Sequence, residues 1–376
     1  MSLSVAELTS ELVRCHPTHR SEGVSAAIDL AAHTLRTLGL DCEIRPYEGG
    51  PQIAATHAFA DDGPHVIVHG HIDIEDVADE TGWSSPGLWR AGEIRAGRVY
   101  GAGTSDMLGG IATLITAVRR LAEQGGLTGR VTVQIAVDRH LGGGGTRALL
   151  SADLPRAELA VLAEPTNRHV CTTAYGFARY HLTAHACGGP MAYATDESNA
   201  ATHASTALLA LESANRVLQE LYPTREGIRY VLPTSIHAGD QVSAPATVAA
   251  VDFAVALPPL LPEETALTVI TDTLIHKFAS AGLPVPSWER GEPHFTATSL
   301  GHQVFADLLR EVNPGLQWCQ YPCPSDARVF QELGVPVVLH GPGDLARTRR
   351  SDEYVEIAEL DECVDTLSTA LTRWLS

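Results

Sequence analysis

The chain has 376 residues, enough for two domains with separate hydrophobic cores. Its 45 acidic and 26 basic side chains give a net charge of −19, which argues against nucleic acids and anionic membranes as partners because both bind basic surfaces. The N-terminal residues lack a basic segment followed by an apolar one, and no apolar run is long enough to span a bilayer, so we expect a cytoplasmic protein.

Helix-like and strand-like segments alternate through the first part of the chain. Apolar residues recur at helical spacing over residues 5–14, 24–38 and 107–124, and a further helix is expected to begin at Thr146. Continuous apolar runs typical of buried strands cover residues 42–46, 65–69, 131–137 and 159–163. This alternation predicts an α/β fold with a doubly wound sheet.

The pattern changes from about Phe177. Strand-like segments at 234–238 and 248–257 accompany helix-like segments at 199–221 and 263–280. We therefore predict a smaller inserted α+β domain at residues 178–287, which divides the larger domain into residues 1–177 and 288–376. Strands of the larger domain are expected to resume near 316–320 and 336–340.

The cysteines give no argument for function. Seven of them are scattered along the chain, and an odd number over this length does not suggest a disulfide framework. Cys319 and Cys323 lie close in sequence, but two thiols without further ligands do not indicate a metal site.

Side chains that can ligate a metal follow several of the predicted strands. The apolar run that begins at His65 ends in His71 and Asp73, a glycine-rich segment carries Asp106 just before a helix, and Glu164 follows the strand at 159–163. Because ligands gather at the carboxyl ends of parallel strands, we expect these side chains to meet. One imidazole and two carboxylates suit zinc, and a carboxylate such as Asp73 commonly accepts the second N–H of a ligating histidine.

Five motifs are spread over nearly the whole chain. They are His-Gly-His-Ile-Asp at 69–73, Gly-Ala-Gly-Thr-Ser-Asp-Met-Leu-Gly-Gly at 101–110, Ala-Glu-Pro-Thr at 163–166, Ser-Asp-Ala-Arg at 325–328, and His-Gly-Pro-Gly followed by Ser-Asp-Glu-Tyr-Val within 340–355. Together they resemble the motifs of the dinuclear-zinc aminoacylases and exopeptidases, a family that includes acetylornithine deacetylase, succinyl-diaminopimelate desuccinylase and carboxypeptidase G.

This resemblance implies a zinc-exopeptidase-like catalytic domain, an inserted lid or dimerisation domain, and a homodimer. It implies that His71 and Glu164 ligate one zinc ion, that Asp106 bridges two metals, and that Asp73 orients His71. The implied substrate is a small molecule with an amide bond and a carboxylate.

The chain departs from the family where a second metal and the attacking water would be held. Where the family has two adjacent glutamates, first the general base and then a metal ligand, this chain has Arg139 and His140. An arginine stays protonated and cannot accept a proton from a metal-bound water, whereas a histidine remains a metal ligand. The family's last histidine ligand is replaced by Arg349.

Charge repulsion predicts at most one zinc ion. A unit positive charge 4 Å from a dication is repelled by about 8 kcal/mol at an effective dielectric constant of 20, so Arg139 and Arg349 oppose a second ion. We expect one zinc ion held by the three predicted ligands with help from His140, or no metal. The two arginines then bind a carboxylate or phosphate of the substrate. Alternatively, they pair with Asp106 or Glu164 and fill an abandoned metal site.

Other polar residues are candidates for the missing functions. Asp138 shares a strand face with His140 and is our first candidate for a replacement base. Arg328 and His237 are candidates for substrate contacts, although the motif around Arg328 also fits the cap of a helix predicted at 326–333. His340 is a candidate for the missing metal ligand.

Three classes of function remain open. The first is a metal-dependent amide hydrolase acting on an N-acyl amino acid or small peptide. The second is a non-hydrolytic enzyme of the same fold that catalyses amide formation, cyclisation or elimination on an anionic substrate. This class is considered because arginine occupies the base position. The third is a metal-free binding protein without activity. Resemblance favours the first class, and the altered residues favour the other two.

Overall fold

The computed structural model describes residues 3–60, 62–77, 79–139, 142–151, 157–224, 227–239, 241–299 and 301–376. The helices are α1 (Val5–Cys15), α2 (Glu22–Thr37), α3 (Gly109–Glu123), α4 (Gly144–Leu150), α5 (Ala200–Leu221), α6 (Glu263–Ala281), α7 (Gln303–Val312), α8 (Ala327–Glu332) and α9 (Ile357–Trp374). The strands are β1 (Asp41–Arg45), β2 (Gln52–Ala58), β3 (His65–His71), β4 (Glu93–Arg95), β5 (Arg98–Tyr100), β6 (Arg130–Ala136), β7 (Leu159–Leu162), β8 (Val170–Ala174), β9 (Gly176–His185), β10 (Val231–Ala238), β11 (Val248–Leu257), β12 (Ser287–Phe295), β13 (Thr298–Ser299), β14 (Trp318–Tyr321), β15 (Val337–Leu339) and β16 (Tyr354–Glu356).

The chain forms two compact units. Unit 1 contains Met1–Thr173, Leu300–Tyr321 and Ser325–Ser376, and unit 2 contains Ala174–Ser299 and Pro322–Pro324. The chain therefore returns to unit 1 at residue 300 and not at the predicted residue 288. The reason is that β12 pairs with β9 and so completes the sheet of unit 2. Within the described part of the chain, no helix combines the length and the apolarity that crossing a bilayer requires.

The main sheet of unit 1 has the strand order β1-β2-β6-β3-β7-β15-β8, and β14 pairs with β8. Strands β6, β3, β7 and β15 are parallel to one another. Strand β2 pairs antiparallel with both of its neighbours, β1 and β6. All seven residues of β3 are buried, as expected for a central parallel strand. The parallel centre confirms the predicted α/β fold.

Helices cover both faces of this sheet. A methyl group at Gly70 would lie 3.1 Å from Ile111 of α3, so Gly70 faces α3. Because side chains alternate along a strand, His69 and His71 point to the opposite face. There the His69 ring packs against Phe330 of α8 with a centroid distance of 5.0 Å. The sheet is therefore doubly wound, as the sequence predicts.

One disulfide joins two strands of unit 1. Cys171 of β8 is bonded to Cys319 of β14, and the two Cα atoms are 4.7 Å apart. The only companion of Cys319 considered from the sequence was its neighbour Cys323, which is not part of this disulfide. The pairing follows from the adjacency of β8 and β14 in the sheet, although the two cysteines are 148 residues apart in sequence.

Unit 2 is an antiparallel sheet with the order β10-β11-β9-β12 and two long helices, α5 and α6. Its own apolar core contains Tyr180 of β9, Phe253 of β11 and Phe278 of α6. The buried face of α5 consists largely of alanines, which allow the helix to lie close to the sheet. This α+β organisation matches the predicted inserted domain.

Candidate metal centre

His71 occupies the carboxyl end of β3 and is 1% exposed. Its Nδ1 lies 3.0 Å from the backbone carbonyl oxygen of Asp73, and its Nε2 lies 3.1 Å from Oδ1 of Asp106. A carbonyl oxygen only accepts hydrogen bonds, so Nδ1 carries a proton and Nε2 is the nitrogen available to a metal.

Without a metal, both neighbours of the His71 ring are acceptors, so the ring donates from both nitrogens. Burial disfavours the charged ring, but the hydrogen bond and charge of Asp106 outweigh it and raise the pKa of His71 to about 9. Asp106 itself is 8% exposed and lies in the segment that leads into α3. A positive charge is therefore stabilised at the place where a cationic metal would bind.

Glu164 follows the end of β7 and is held from several sides. The hydroxyl of Tyr321 donates a hydrogen bond of 3.0 Å to its Oε2, and Nη2 of Arg139 lies 3.8 Å from the same oxygen. Burial raises the pKa of the Glu164 carboxyl, and the charge of Arg139 opposes this rise. The sequence analysis did not identify Tyr321, because its predicted strand ended at residue 320.

Two glycines fix the backbone that carries Glu164. A methyl group at Gly110 would lie 2.2 Å from the carbonyl oxygen of Ala163, and one at Gly341 would lie 2.5 Å from the same oxygen. The start of α3 and the segment after β15 thus approach this backbone more closely than any side chain would allow. Both glycines belong to motifs identified in the sequence.

His71, Asp106 and Glu164 each direct one ligand atom to a common point. These three atoms lie within 4.8 Å of one another, and all three residues are buried. One nitrogen and two carboxylate oxygens form a donor set that suits zinc. The three predicted ligands are therefore brought together, whereas His140, the fourth, lies outside the described residues.

The two arginines of the predicted clamp contact different acids. Arg139 is buried, with 7% of its side chain exposed, and pairs with Glu164. Arg349 has 57% of its side chain exposed, and its Nη2 lies 2.9 Å from Oε1 of Glu75. Arg139 therefore has the contact expected in the alternative prediction, in which an arginine pairs with a candidate metal ligand. For Arg349 the acid is Glu75, which the sequence analysis did not consider.

The observed contacts of Asp73 and Asp138 differ from those expected from the sequence. The backbone carbonyl of Asp73, and not its carboxylate, makes the hydrogen bond to His71, since Oδ1 lies 3.9 Å from Nδ1. Asp138 adopts a left-handed backbone conformation with φ of 64°. Its Oδ1 lies 3.3 Å from Nδ1 of His19, a residue that the sequence analysis did not identify.

Asp326 belongs to a buried polar network beside β3. Its Oδ2 accepts a hydrogen bond of 2.7 Å from Thr146 and lies 3.3 Å from Nε2 of His69. Burial opposes ionisation, but His69 outweighs it and lowers the pKa of Asp326 to about 2. The sequence suggested that this motif caps a helix, and the hydroxyl of Ser325 accepts a hydrogen bond of 3.3 Å from the N–H of Ala327 at the start of α8, whereas the carboxylate of Asp326 makes no cap hydrogen bond.

Two predicted substrate contacts have other neighbours. Arg328 donates to the carbonyl of Gly142 and lies 3.3 Å from Glu332, so its guanidinium is engaged within unit 1. His237 is exposed on β10 and lines a cavity of about 460 Å³ within unit 2. Their roles toward a substrate stay predictions.

A cavity of about 280 Å³ in unit 1 reaches the candidate ligand Asp106. Its wall also contains Arg349, Glu75, Glu353 and Trp83. The carboxylate of Glu353 accepts hydrogen bonds from the backbone N–H groups of Ser105 and Arg349. A small molecule in this cavity would meet both polar groups and an aromatic surface.

Most of the chain matches a known protein family. Residues 67–373 match the sequence profile of peptidase family M20/M25/M40. Succinyl-diaminopimelate desuccinylase from Rhodospirillum centenum is 31% identical over 168 residues, which are 43% of this chain and 42% of that enzyme. The chain thus aligns with less than half of the length of this relative.

Solved structures share the fold over almost the whole chain. An M20 family metallo-carboxypeptidase from Sulfolobus solfataricus superimposes with a TM-score of 0.73 at 13% identity and covers 99% of both chains. Human carnosine dipeptidase 1 superimposes with a TM-score of 0.72 at 14% identity and covers 99% of this chain and 96% of its own. At these identities the similarity establishes the fold alone.

Proposed function

The chain belongs to peptidase family M20/M25/M40, and from this membership we propose that it acts on the amide bond of an N-acyl amino acid or small peptide. The proposed centre holds one zinc ion on His71, Asp106 and Glu164. The observation that carries the proposal is the approach of these three buried ligand atoms to within 4.8 Å of one another. We assign catalysis to unit 1 and a lid or dimerisation role to unit 2.

The surroundings of Glu164 support one zinc ion and not two. Arg139 lies 3.8 Å from Glu164 and brings a permanent positive charge to the centre. This charge offsets part of the negative charge of the ligands, so a second dication would gain less attraction and meet repulsion of several kcal/mol.

A bound zinc ion would polarise the carbonyl of the amide and lower the pKa of a bound water. Tyr321 and Arg139 hold Glu164 in place, and the backbone carbonyl of Asp73 fixes the His71 ring so that its Nε2 faces Asp106 and would be available to the ion. Arg349 in the cavity wall would exchange Glu75 for the carboxylate of the substrate.

A second candidate function follows from Arg139. This side chain occupies the position of the family's general base, is buried, and cannot accept a proton. If no other residue takes this role, the same cavity would serve a reaction of an anionic substrate that needs no activated water, such as amide formation, cyclisation or elimination.

Metal analysis combined with a substrate screen separates these functions. Protein purified without chelator should contain close to one zinc ion per chain, and it should release amino acids from N-acyl amino acids or dipeptides in a chelator-sensitive manner. His71→Ala should lose both the metal and the activity, whereas His33→Ala, in the exposed part of α2, should lose neither. Metal-free protein without hydrolysis would contradict the first candidate function.

We also propose a homodimer formed through unit 2. The strand β10 lies at the edge of its sheet, and Leu232 and Ile236 on this strand are 47% and 52% exposed. Exposed apolar edge strands pair readily with a second copy. Light scattering should therefore report a dimer for the natural chain and a monomer for a Leu232→Lys, Ile236→Lys variant, and a monomeric natural chain would refute the proposal.

A further inference from the structure

His19 lies beside the candidate metal centre although it is 52 residues from His71 in sequence. The segment that precedes it runs along the continuation of β3. Thr18 forms a parallel bridge with Ile74, and the N–H of Ile74 donates a hydrogen bond of 2.9 Å to the carbonyl of Pro17. These backbone contacts bring the imidazole of His19 to the carboxylate of Asp73.

The imidazole of His19 lies between two carboxylates. Its Nδ1 is 3.3 Å from Oδ1 of Asp138 and 3.8 Å from Oδ2 of Asp73. About a quarter of the His19 side chain is exposed, yet both ring nitrogens are shielded from solvent. The ring thus presents a carbon edge to solvent and its Nδ1 atom to the two acids.

Asp73 has the more buried carboxylate of the two acids beside His19. Its side chain is 1% exposed, and neither of its carboxylate oxygens accepts a hydrogen bond from another described residue. A buried carboxylate in this state is destabilised unless a positive charge or a polar N–H group lies close to it. The Nδ1 atoms of His71 and His19 lie 3.9 Å and 3.8 Å from its two oxygens, whereas the negative charge of Asp326 opposes its ionisation.

We propose that His19 is a positioning residue of the metal centre, acting through Asp73 on His71. In this arrangement His19 holds the Asp73 side chain from one side. The peptide unit of Asp73, whose carbonyl accepts the Nδ1–H of His71, then stays in the place that directs Nε2 toward the ligand cluster. This inference rests on the proposed zinc site.

The contacts of Asp73 distinguish this role from simple packing. Residues that support a ligating histidine commonly change metal affinity by about 10- to 100-fold when they are replaced. Asp73 has no hydrogen-bonding support from described residues that would substitute for His19. The effect of His19 on the metal should therefore depend on the presence of the Asp73 carboxylate.

Zinc affinity measured by competition with a chromophoric chelator tests the inference. His19→Ala should bind zinc about 10- to 100-fold more weakly than the natural chain. His19→Asn, which keeps a donor near the position of Nδ1, should recover most of this loss. In an Asp73→Asn background, His19→Ala should have little further effect. His33→Ala in α2 is the matched control and should bind zinc like the natural chain.

A second measurement does not need bound metal. In metal-free protein, the ring ¹⁵N resonances of His71, assigned with His71→Gln, should shift in His19→Ala but not when Asp73 is already asparagine. If the natural chain binds no zinc, the proposed function fails, and this spectrum alone decides the role of His19. Should His19→Ala not fold, as judged by circular dichroism, His19→Asn takes its place in the ring measurement, with a smaller shift expected. Unchanged zinc affinity together with unchanged His71 resonances would overturn the inference.

Discussion

Arg139 and Arg349, which we propose to replace the family's general base and one of its metal ligands, lie in different surroundings. Arg139 is buried against Glu164, whereas Arg349 is mostly exposed and pairs with Glu75 in the wall of a cavity. In the proposed function, Arg139 contributes a fixed charge on the buried side of the centre. Arg349 on the exposed side is the group proposed to bind the substrate. Two replacements by the same residue therefore differ in their expected consequences.

The largest expected effect concerns the buried side. Asp106→Ala removes one of three ligand atoms, so zinc affinity should fall by more than the roughly 100-fold that supporting residues cause. Asp361→Asn, an exposed acid on α9, is the control for a lost negative charge. Chelator competition measures both. Equal zinc affinity of Asp106→Ala and the natural chain would exclude the proposed ligand set.

The comparison of the arginines can be made directly in metal-free protein. Arg139→Met removes the guanidinium that lies 3.8 Å from the buried carboxylate of Glu164, so the free energy of unfolding should fall by about 3 to 5 kcal/mol. Arg349→Met breaks an exposed ion pair and should cost less than about 1 kcal/mol. Urea unfolding at pH 7 measures both changes. Similar costs for the two variants would break the distinction between the buried and exposed sides.

A third strand end carries a buried histidine whose pKa moves in the opposite direction to that of His71. Burial lowers the pKa of His340, after β15, to about 4, in spite of a hydrogen bond to the carbonyl of His169. Its neutral ring contributes stability that is complete above pH 6.5 and is lost as the pH falls through about 4. The loss amounts to about 3 kcal/mol.

Unfolding measured between pH 7 and pH 4 checks this expectation. The stability of His340→Asn should fall by about 3 kcal/mol less than that of the natural chain over this range, because asparagine does not titrate. The exposed residue His33, replaced by asparagine, is the control and should leave the pH dependence unchanged. If the free energy of unfolding changed with pH equally in His340→Asn and the natural chain, the pKa of His340 would be the same in the folded and unfolded states, contrary to this expectation.

The smallest effect is expected for a single hydroxyl on the buried side. Tyr321→Phe removes the hydrogen bond to Glu164 but keeps the ring, so zinc affinity should fall by about tenfold. Tyr230→Phe removes a comparable hydroxyl in unit 2 and should leave zinc affinity unchanged. A tenfold loss in the Tyr230 variant would mean that the effect is not local.

The sequence predicted the parts of the centre that follow from local pattern. His71 and Glu164 follow apolar strand segments, and parallel strands bring their carboxyl ends together, so the proximity of the two residues could be expected. Tyr321 and Asp326 could not be assigned in this way. They contact Glu164 and His69 across 157 and 257 residues of sequence, and no periodicity encodes such distances.

The fold shows the same limit. The strand β2 was not predicted, because Ala54 and Ala55 are residues with high helix propensity, and only the pairing with β6 makes this segment extended. The inserted domain was predicted to end at residue 287, because the pairing of β12 with β9 is not visible in the sequence. In both cases the missing information was the identity of a pairing strand.

The close approach of Gly110 and Gly341 to Ala163 has a consequence for the evolution of this protein. A single substitution can remove the carboxylate of Glu164, but the position of this carboxylate also depends on Gly110 and Gly341, which have no reactive side chain. In a homologue with a side chain at either glycine, the backbone at Ala163 would have to shift and the carboxylate would move with it, even though every reactive group is retained. Loss of activity in homologues can therefore begin at positions that comparisons of catalytic residues do not inspect.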